Sequence, residues 1–368
     1  MSRDLVVLSL EPWDEVWRRN QYLIDGLLRG DRSLRVLFVE PSNDLLHAAI
    51  SRHRLRRGRG LRVADGYEGR LHLYQPDKVL PRVAGPAADA LLRRSVRSAI
   101  RRVGMRAPIL WVNDPSWAGL VARESWSALY DMTDDWLAAQ RSAREHRRTA
   151  DNERVLMNQC RTVVVCSEGL LRTRSPQREV VLITNAVDLA RYRAERPRPA
   201  GLPEGRTATY VGTLHEDRLD VELVVRTADA LSDGSTVVLV GPNALSAQNT
   251  SRLVEHPRIE LLGARPWTDI PAYLQHADVL LVPHLVNDFT ESLDPLKLYE
   301  YRAVGRPVVS TPVAGFRDSG EGVVVAAAAD FSDAVARVAA SDVPTARHDG
   351  IPEWSHRVAQ YADVLSNM

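Results

Sequence analysis

Lys297 and Glu300 stand three residues apart in the segment Asp294-Pro-Leu-Lys-Leu-Tyr-Glu-Tyr301. At that spacing two side chains occupy neighbouring faces of a helix, about 4.5 Å apart along its axis. Local signals predict the helix: Asp294 suits an N-cap, and Pro295 suits the first helical position, where no N–H is needed. Gly305 suits the left-handed residue that ends a helix, Arg306-Pro307 blocks extension, and the β-branched run Val308–Thr311 follows. A helix N-terminus with an ammonium group in its first turn is a site for phosphate, and a carboxylate one turn deeper can grip a pair of sugar hydroxyls. Together these chemistries describe a clamp for a nucleotide sugar.

Composition adds weight to the lysine. Among 48 basic residues only Lys78 and Lys297 are lysine. A compact point charge at Lys297, in a chain that otherwise uses the planar arginine fork, marks a position where the fork is not wanted.

Other candidates follow apolar runs. The loop after Leu5–Leu10 reads Glu11-Pro12-Trp13-Asp14-Glu15-Val16-Trp17 and holds no glycine. A dinucleotide-binding enzyme would place Gly-x-Gly-x-x-Gly there, so a hydride-transfer reading loses its support. Asp14 is the carboxylate placed to meet an incoming hydroxyl. Trp13 and Trp17 suit stacking on a sugar face, and equally a hydrophobic staple and a core tryptophan. After Ala128–Tyr130 come Asp131, Asp134 and Asp135, which suit hydroxyl binding, a magnesium ion or helix capping. Asn113-Asp114 is a weaker pair of the same kind. His284 and Asn287 precede the clamp and are placed to touch its ligand.

These groups need a scaffold that brings strand ends together. Strands predicted at Leu5–Leu10, Arg35–Val39, Arg70–Tyr74, Ile109–Val112, Ala128–Tyr130, Thr162–Cys166 and Val180–Ile183 alternate with helices at Trp17–Leu28, Asp44–Arg57, Ala87–Arg102, Trp117–Glu124, Asp151–Asn158 and Glu168–Thr173. The proline-rich Leu189–Arg206 reads as a linker. The same rhythm then restarts at Ala208–Val211 and runs to Val323–Val325, before helix Phe331–Ala340 and a final amphipathic stretch, Ile351–Leu365. Such alternation predicts an α/β protein of two facing, Rossmann-like doubly wound domains, residues 1–190 and 191–345, followed by a terminal segment, 346–368. Ligands of such sheets sit at the carboxyl ends of the strands.

Size and charge exclude several classes. The chain's 368 residues, 45% hydrophobic and 26% charged, suit two globular domains of a cytoplasmic protein. No stretch reaches the ~20 apolar residues of a membrane span, and Met1–Leu10 lacks a signal peptide's pattern. Cys160 and Cys166 read as buried thiols, and the histidines form no metal set. The net charge of +1 hides an asymmetry. Residues 1–190 hold 31 basic and 23 acidic side chains, against 17 and 24 in residues 191–368. The excess sits in Arg52, Arg54, Arg56, Arg57, Arg59 and Arg62, and again in Arg93, Arg94, Arg97, Arg101, Arg102 and Arg106. Such clusters form solvated faces, or attract anionic membrane and phosphorylated acceptors. They lack the interleaved aromatics of a nucleic-acid groove.

The motif Asp294–Tyr301, with Gly305 and Pro307-Val308-Val309, resembles that of retaining GT-B glycosyltransferases of the family 4 type, especially bacterial polysaccharide enzymes such as those of teichuronic acid synthesis. In that family the glutamate five residues before the glycine holds the ribose, a role that falls on Glu300. The acidic residue eight positions earlier, which contacts the donor sugar, falls on Ser292, a departure from the family's pattern; because the preceding loop can shift by one residue, the role is expected of Glu291 beside it. Tyr210–Asp220 resembles the family's strand-glycine-loop that supplies a basic pair to the diphosphate. The first basic position is Thr213 here, which leaves Arg218 to act with Lys297. Gly212 lets the backbone approach the phosphates. Thr184–Asp188 resembles the entry to the second domain. Gly241 and Arg265 fall where the family recognises the base. Leu293, Asp294 and Leu296, at the start of the clamp helix, are counted with the donor site, and the resemblance makes the last helix cross back onto the first domain.

The expectation is therefore a hexosyl- or glycosyltransferase. It moves a sugar from a nucleotide-diphosphate donor held by the second domain to an acceptor hydroxyl held by the first. The acceptor is a sugar, a lipid-linked glycan or a small molecule. The reaction is expected to retain anomeric configuration, with no cofactor and no metal, since Arg218, Lys297 and the amides of Leu296 and Lys297 stabilise the leaving diphosphate. Were the product inverted, Asp14 would be the base. An epimerase of the same fold and a non-catalytic sugar-binding subunit are the alternatives.

Overall fold

The computed structural model describes residues 3–44, 58–78, 80, 85–139, 141–320, 322–341 and 345–368. Most of the helix expected near Asp44–Arg57, with Arg52, Arg54, Arg56 and Arg57, lies outside the described residues.

The first domain is built on eight strands: β1 (Arg3–Leu8), β2 (Leu34–Val39), β3 (Gly60–Val63), β4 (Leu71–Gln75), β5 (Ile109–Val112), β6 (Ala128–Met132), β7 (Thr162–Val165) and β8 (Val181–Leu182). They lie in the order β8-β7-β6-β5-β1-β2-β4-β3, all parallel except β3 on β4. The second domain repeats the plan with β9 (Arg206–Val211), β10 (Ser235–Val240), β11 (Ile259–Gly263), β12 (Val279–Val282), β13 (Val308–Ser310) and β14 (Val323–Val325), ordered β11-β10-β9-β12-β13-β14. In each sheet the winding reverses beside the first strand, between β1 and β5 and between β9 and β12. A doubly wound sheet opens a crevice at that point, because the loops leaving the two strands turn to opposite faces.

Continuous apolar runs form these strands because helices cover both faces. Leu5, Val6, Val7 and Leu8 are all buried. Val6 and Leu8 enter one core with the helices Pro86–Arg102 and Ala143–Gln159. Leu5 and Val7 enter the other with Arg19–Gly30 and the terminal helix Trp354–Ser366. The terminal helix thus belongs to the first domain's core, as the resemblance implied. Its Tyr361 stacks on Trp111 with ring centroids 4.4 Å apart. Gly26 permits the close approach of the Arg19–Gly30 helix to the terminal helix, since a Cβ there would stand 2.4 Å from Val358 Cγ2. The chain crosses between domains twice, side by side: Val187 N donates to Pro352 O and Trp354 N donates to Val187 O.

Several local expectations need correction. The charged helix begins at Ala143 rather than Asp151, because the Ser142 side chain accepts from Glu145 N and caps it. Asp294 does not cap the clamp helix; Pro295 occupies the cap of Leu296–Val304, and the Asp294 carboxylate accepts from Tyr299 OH and Asn185 N instead. Gly305 ends that helix in the left-handed conformation at φ 74°. Strand β3 and helix Ala247–Val254 carried too little periodicity to be read from the sequence.

Candidate active site

The four loops at the two switch points face one another across a cleft with a cavity volume of about 400 Å³, the size of an ordinary ligand site. Leu10 and Glu11 enter it after β1, Asn113 after β5, Gly212 and Thr213 after β9, and His284 after β12.

The second-domain wall is organised around Lys297. Its Nζ donates to Tyr210 Oη at 3.0 Å and to His284 Nε2 at 3.2 Å, and lies 4.3 Å from the Tyr210 ring centroid. Burial and the nearby Lys297 and Arg218 cations push His284 well below its usual range, so the ring is neutral and accepts. Lys297 has no carboxylate within 4.0 Å among the described residues; two of its three donors are used, and the residue lines the cleft. Gly212 makes room for it. At φ 148° a Cβ there would stand 3.1 Å from both Lys297 Nζ and Tyr210 Oη. Gly241, also at φ 148°, is required more strictly, since its Cβ would meet Gly212 O at 2.1 Å.

One turn along the helix, Glu300 accepts from Tyr192 OH at 2.5 Å through Oε1. Burial raises its carboxyl above the usual range, against the pull of Tyr192 and Lys297. Arg218 lines the same space, its guanidinium 5.6 Å from the Phe289 ring. It makes no ion pair within 4.0 Å among the described residues, and its Nε is buried without a partner. The Leu219–His284 bridge and the bond from Leu285 N to Arg218 O fix its backbone. Thr213, Gly241, Arg265, Leu293, Asp294 and Leu296 complete the wall, with Arg265 Nε donating to Tyr273 OH.

The first-domain wall differs from the expected one. Asp14 does not reach the cleft. Its Oδ1 accepts from Val16 N and stands 3.8 Å from Arg18. Glu11 faces the cavity in its place, because the loop is anchored at Trp13 N by Glu40 and at Glu15 O by Trp267 N. The Glu11 carboxyl rises to about 7, chiefly through burial, against Arg18 and Arg218 and with Asp134 and Asp14 adding to the rise. Asp134 is the member of its cluster that enters the cleft, and burial raises it too. Asp131 is a strand residue, wholly buried, bonded to Trp111 Nε1, Asn113 Nδ2 and Tyr361 OH. Asp135 accepts from Arg174. Both serve the first-domain core. Trp13 packs edge-on to Phe38 and Tyr67, while Trp17 reaches the cleft and stacks on Trp267 at 4.2 Å.

Three further candidates point elsewhere. Glu291 pairs with Arg317 Nη2 at 2.5 Å, outside the cleft. Asn287 caps the turn Asp288–Glu291. Ser292 is buried, its Oγ donating to Phe289 O, while its own carbonyl accepts from Ser167 Oγ of the first domain. These residues leave the cleft because the turn docks on Gly169, where a Cβ would stand 2.8 Å from Glu291 O. Sequence reasoning missed Glu11, Tyr192 and Tyr210. Glu11 alone carried a signal, as the first carboxylate after β1.

Residues 205–341 match the family of Glycosyl transferases group 1. The chain is 25% identical over 219 residues to the putative teichuronic acid biosynthesis glycosyltransferase TuaH of Bacillus subtilis, a match covering 55% of each chain. The chain thus spans about half the length of that relative. Among solved structures it is similar to sucrose-phosphate synthase from Thermosynechococcus elongatus, with a TM-score of 0.73 at 17% identity over 99% of this chain and 98% of that one. HepE of Anabaena in complex with UDP and glucose gives 0.64 at 13%, covering all of both chains. An α,α-trehalose-phosphate synthase (UDP-forming) from Burkholderia vietnamiensis gives 0.61 at 14%, over 100% and 94%. The architecture is the two-domain GT-B fold, and the region that matches the group 1 family model lies in its second domain.

Proposed function

We propose that this chain transfers a sugar from a nucleotide-diphosphate donor, a UDP-sugar, to an acceptor hydroxyl in the assembly of a cell-surface glycan or glycoconjugate, with retention of anomeric configuration. The observation that carries this reading is the joint presentation of Lys297, Arg218 and Glu300 to one cleft. Two cations beside the opening turn of the Leu296–Val304 helix suit a leaving diphosphate, whose developing charge is what the protein must stabilise. The Glu300 carboxylate, fixed by Tyr192, suits the paired hydroxyls of a ribose. The complexes of HepE with UDP and glucose support UDP as the nucleotide.

No metal is required in this reading, because Lys297, Arg218 and the helix amides supply the positive charge. On retention, the acceptor proton passes to a phosphate oxygen on the face from which the diphosphate leaves. The acceptor enters from the first-domain side, past Glu11, Asp134 and Trp17. The exposed Arg94, Arg101, Arg102 and Arg106 give that domain a basic face suited to an anionic membrane surface. No described helix is long and apolar enough to cross a membrane.

Titration with UDP-, GDP- and dTDP-sugars by calorimetry, followed by product analysis, tests the proposal. A UDP-sugar is expected to bind and be turned over, with binding weakened and turnover slowed by about 10²–10³ in Lys297→Ala. Absence of binding for all three donors by the folded protein would overturn it.

A further inference from the structure

We infer that the acceptor carries a protonated amine, and that Glu11 and Asp134 are the residues that select it. The inference rests on the glycosyltransferase reading and deepens it by naming the acceptor class. Its basis is the uneven charge of the cleft. The donor wall offers Lys297 and Arg218 to a diphosphate, with Arg265 held aside by Tyr273, and a bound diphosphate brings at least as much negative charge as the first two cations bring positive. Nothing is then left over to balance the opposite wall.

On that wall two carboxylates face the cavity with little to hold them. Glu11 has Arg18 Nε at 3.5 Å as its ion-pair contact. Arg18 is shared with Asp14 at 3.8 Å and spends Nη1 on Val16 O. Asp134 accepts one side-chain hydrogen bond, from the neighbouring Thr133 at 3.2 Å. The cluster's other two aspartates are spent elsewhere, Asp131 on Tyr361 and Asp135 on Arg174, so Glu11 and Asp134 are the pair left open. Arg19, though it lines the cleft, donates to Asn185, Ile183 O and Tyr361.

The consequence follows from elementary electrostatics. Two half-desolvated carboxylates beside a bound diphosphate repel a phosphorylated or carboxylated acceptor. An ammonium group answers both, with three donors for the open oxygens and one charge in a dry setting. A neutral polyol would satisfy hydrogen bonds and leave the charge uncompensated. The groups facing Glu11 are Arg18 and Asp14 on its own loop, Asp134 after β6, and Arg218 from the second domain. With Arg218 engaged by the diphosphate, the remaining balance is negative. The acceptor class is therefore an amino sugar or amino cyclitol whose ammonium neighbours the reacting hydroxyl.

The test uses matched pairs in which an ammonium replaces a hydroxyl: glucosamine with glucose, galactosamine with galactose, and an inosamine with the corresponding inositol. Each is titrated into the protein saturated with UDP at pH 7.5. At least one amine is expected to bind on the order of tenfold tighter than its hydroxyl partner, with the preference abolished in Glu11→Gln and reduced in Asp134→Asn. Equal binding within every pair, no binding of any amine to the UDP complex, or a preference that survives both substitutions would overturn the inference. UDP binding, measured first in the same samples, separates the two levels: its loss strikes the donor reading, while intact UDP binding without amine preference strikes this inference alone.

Discussion

The ammonium of Lys297 is pinned between the Tyr210 hydroxyl and the neutral His284 ring, at 3.0 and 3.2 Å, so that two of its three donors are used. A lysine held in this way acts as a fixed point charge with little reorganisation left to perform. Lys297→Ala is expected to slow turnover by about 10²–10³. Lys297→Arg should fail to restore it, because a planar fork does not fit between Tyr210, His284 and Gly212. Steady-state kinetics on both variants checks this. A Lys297→Arg enzyme at wild-type rate would contradict the pinning argument.

Tyr210→Phe keeps the ring under the ammonium and removes one hydrogen bond. A modest loss in kcat, about 5- to 20-fold, is expected with the fold intact. His284→Phe should cost more, since it removes the acceptor and leaves Lys297 half-satisfied in a buried setting.

The two strand-end glycines predict graded damage. Gly212→Ala places a methyl 3.1 Å from Lys297 Nζ, so donor affinity should fall while the protein still folds. Gly241→Ala meets Gly212 O at 2.1 Å and must shift backbone. A destabilisation of about 2–3 kcal/mol in urea unfolding is the expected scale, from left-handed strain plus the clash.

Glu11 gives stability a pH dependence with a definite sign. Its carboxyl is raised from 4.5 to about 7 on folding, so the folded state binds the proton more tightly than the unfolded chain. Its contribution is most favourable below pH 4.5 and is lost as pH rises to 7. Glu11→Gln should therefore stabilise the protein at pH 8, by on the order of 1 kcal/mol once exposure of a third of the side chain is allowed for. The gain should vanish near pH 4.5. Urea titrations of both proteins at the two pH values decide the matter.

The terminal helix is held by a buried polar knot in which Tyr361 OH donates to Asp131 and accepts from Arg19. Asp131→Ala leaves Arg19 buried without its counter-charge, 3.5 Å away in the native protein. A loss of about 3–5 kcal/mol is expected. Because Asp131 lies outside the cleft, KM for the donor should not change in the surviving folded fraction.

The sequence alone determined the α/β rhythm, the two-domain plan and the clamp helix, because each rests on local rules. Alternating apolar runs, a proline at a helix start and a glycine at φ 74° act within a few residues of themselves. Lys297 and Glu300 were legible for the same reason, being one turn apart on one helix. The acceptor wall was decided by tertiary structure. Whether Glu11 or Asp14 faces the cavity depends on where Glu40 and Trp267 tether their loop, 27 residues away in one case and across the domain gap in the other. Whether Asp131 or Asp134 meets a ligand depends on a tyrosine 230 positions later in the chain. Glu291 left the donor site because its turn docks on Gly169 of the other domain. Spacing fixes which side chains share a face; contacts between segments remote in sequence fix which of those faces meets the cleft.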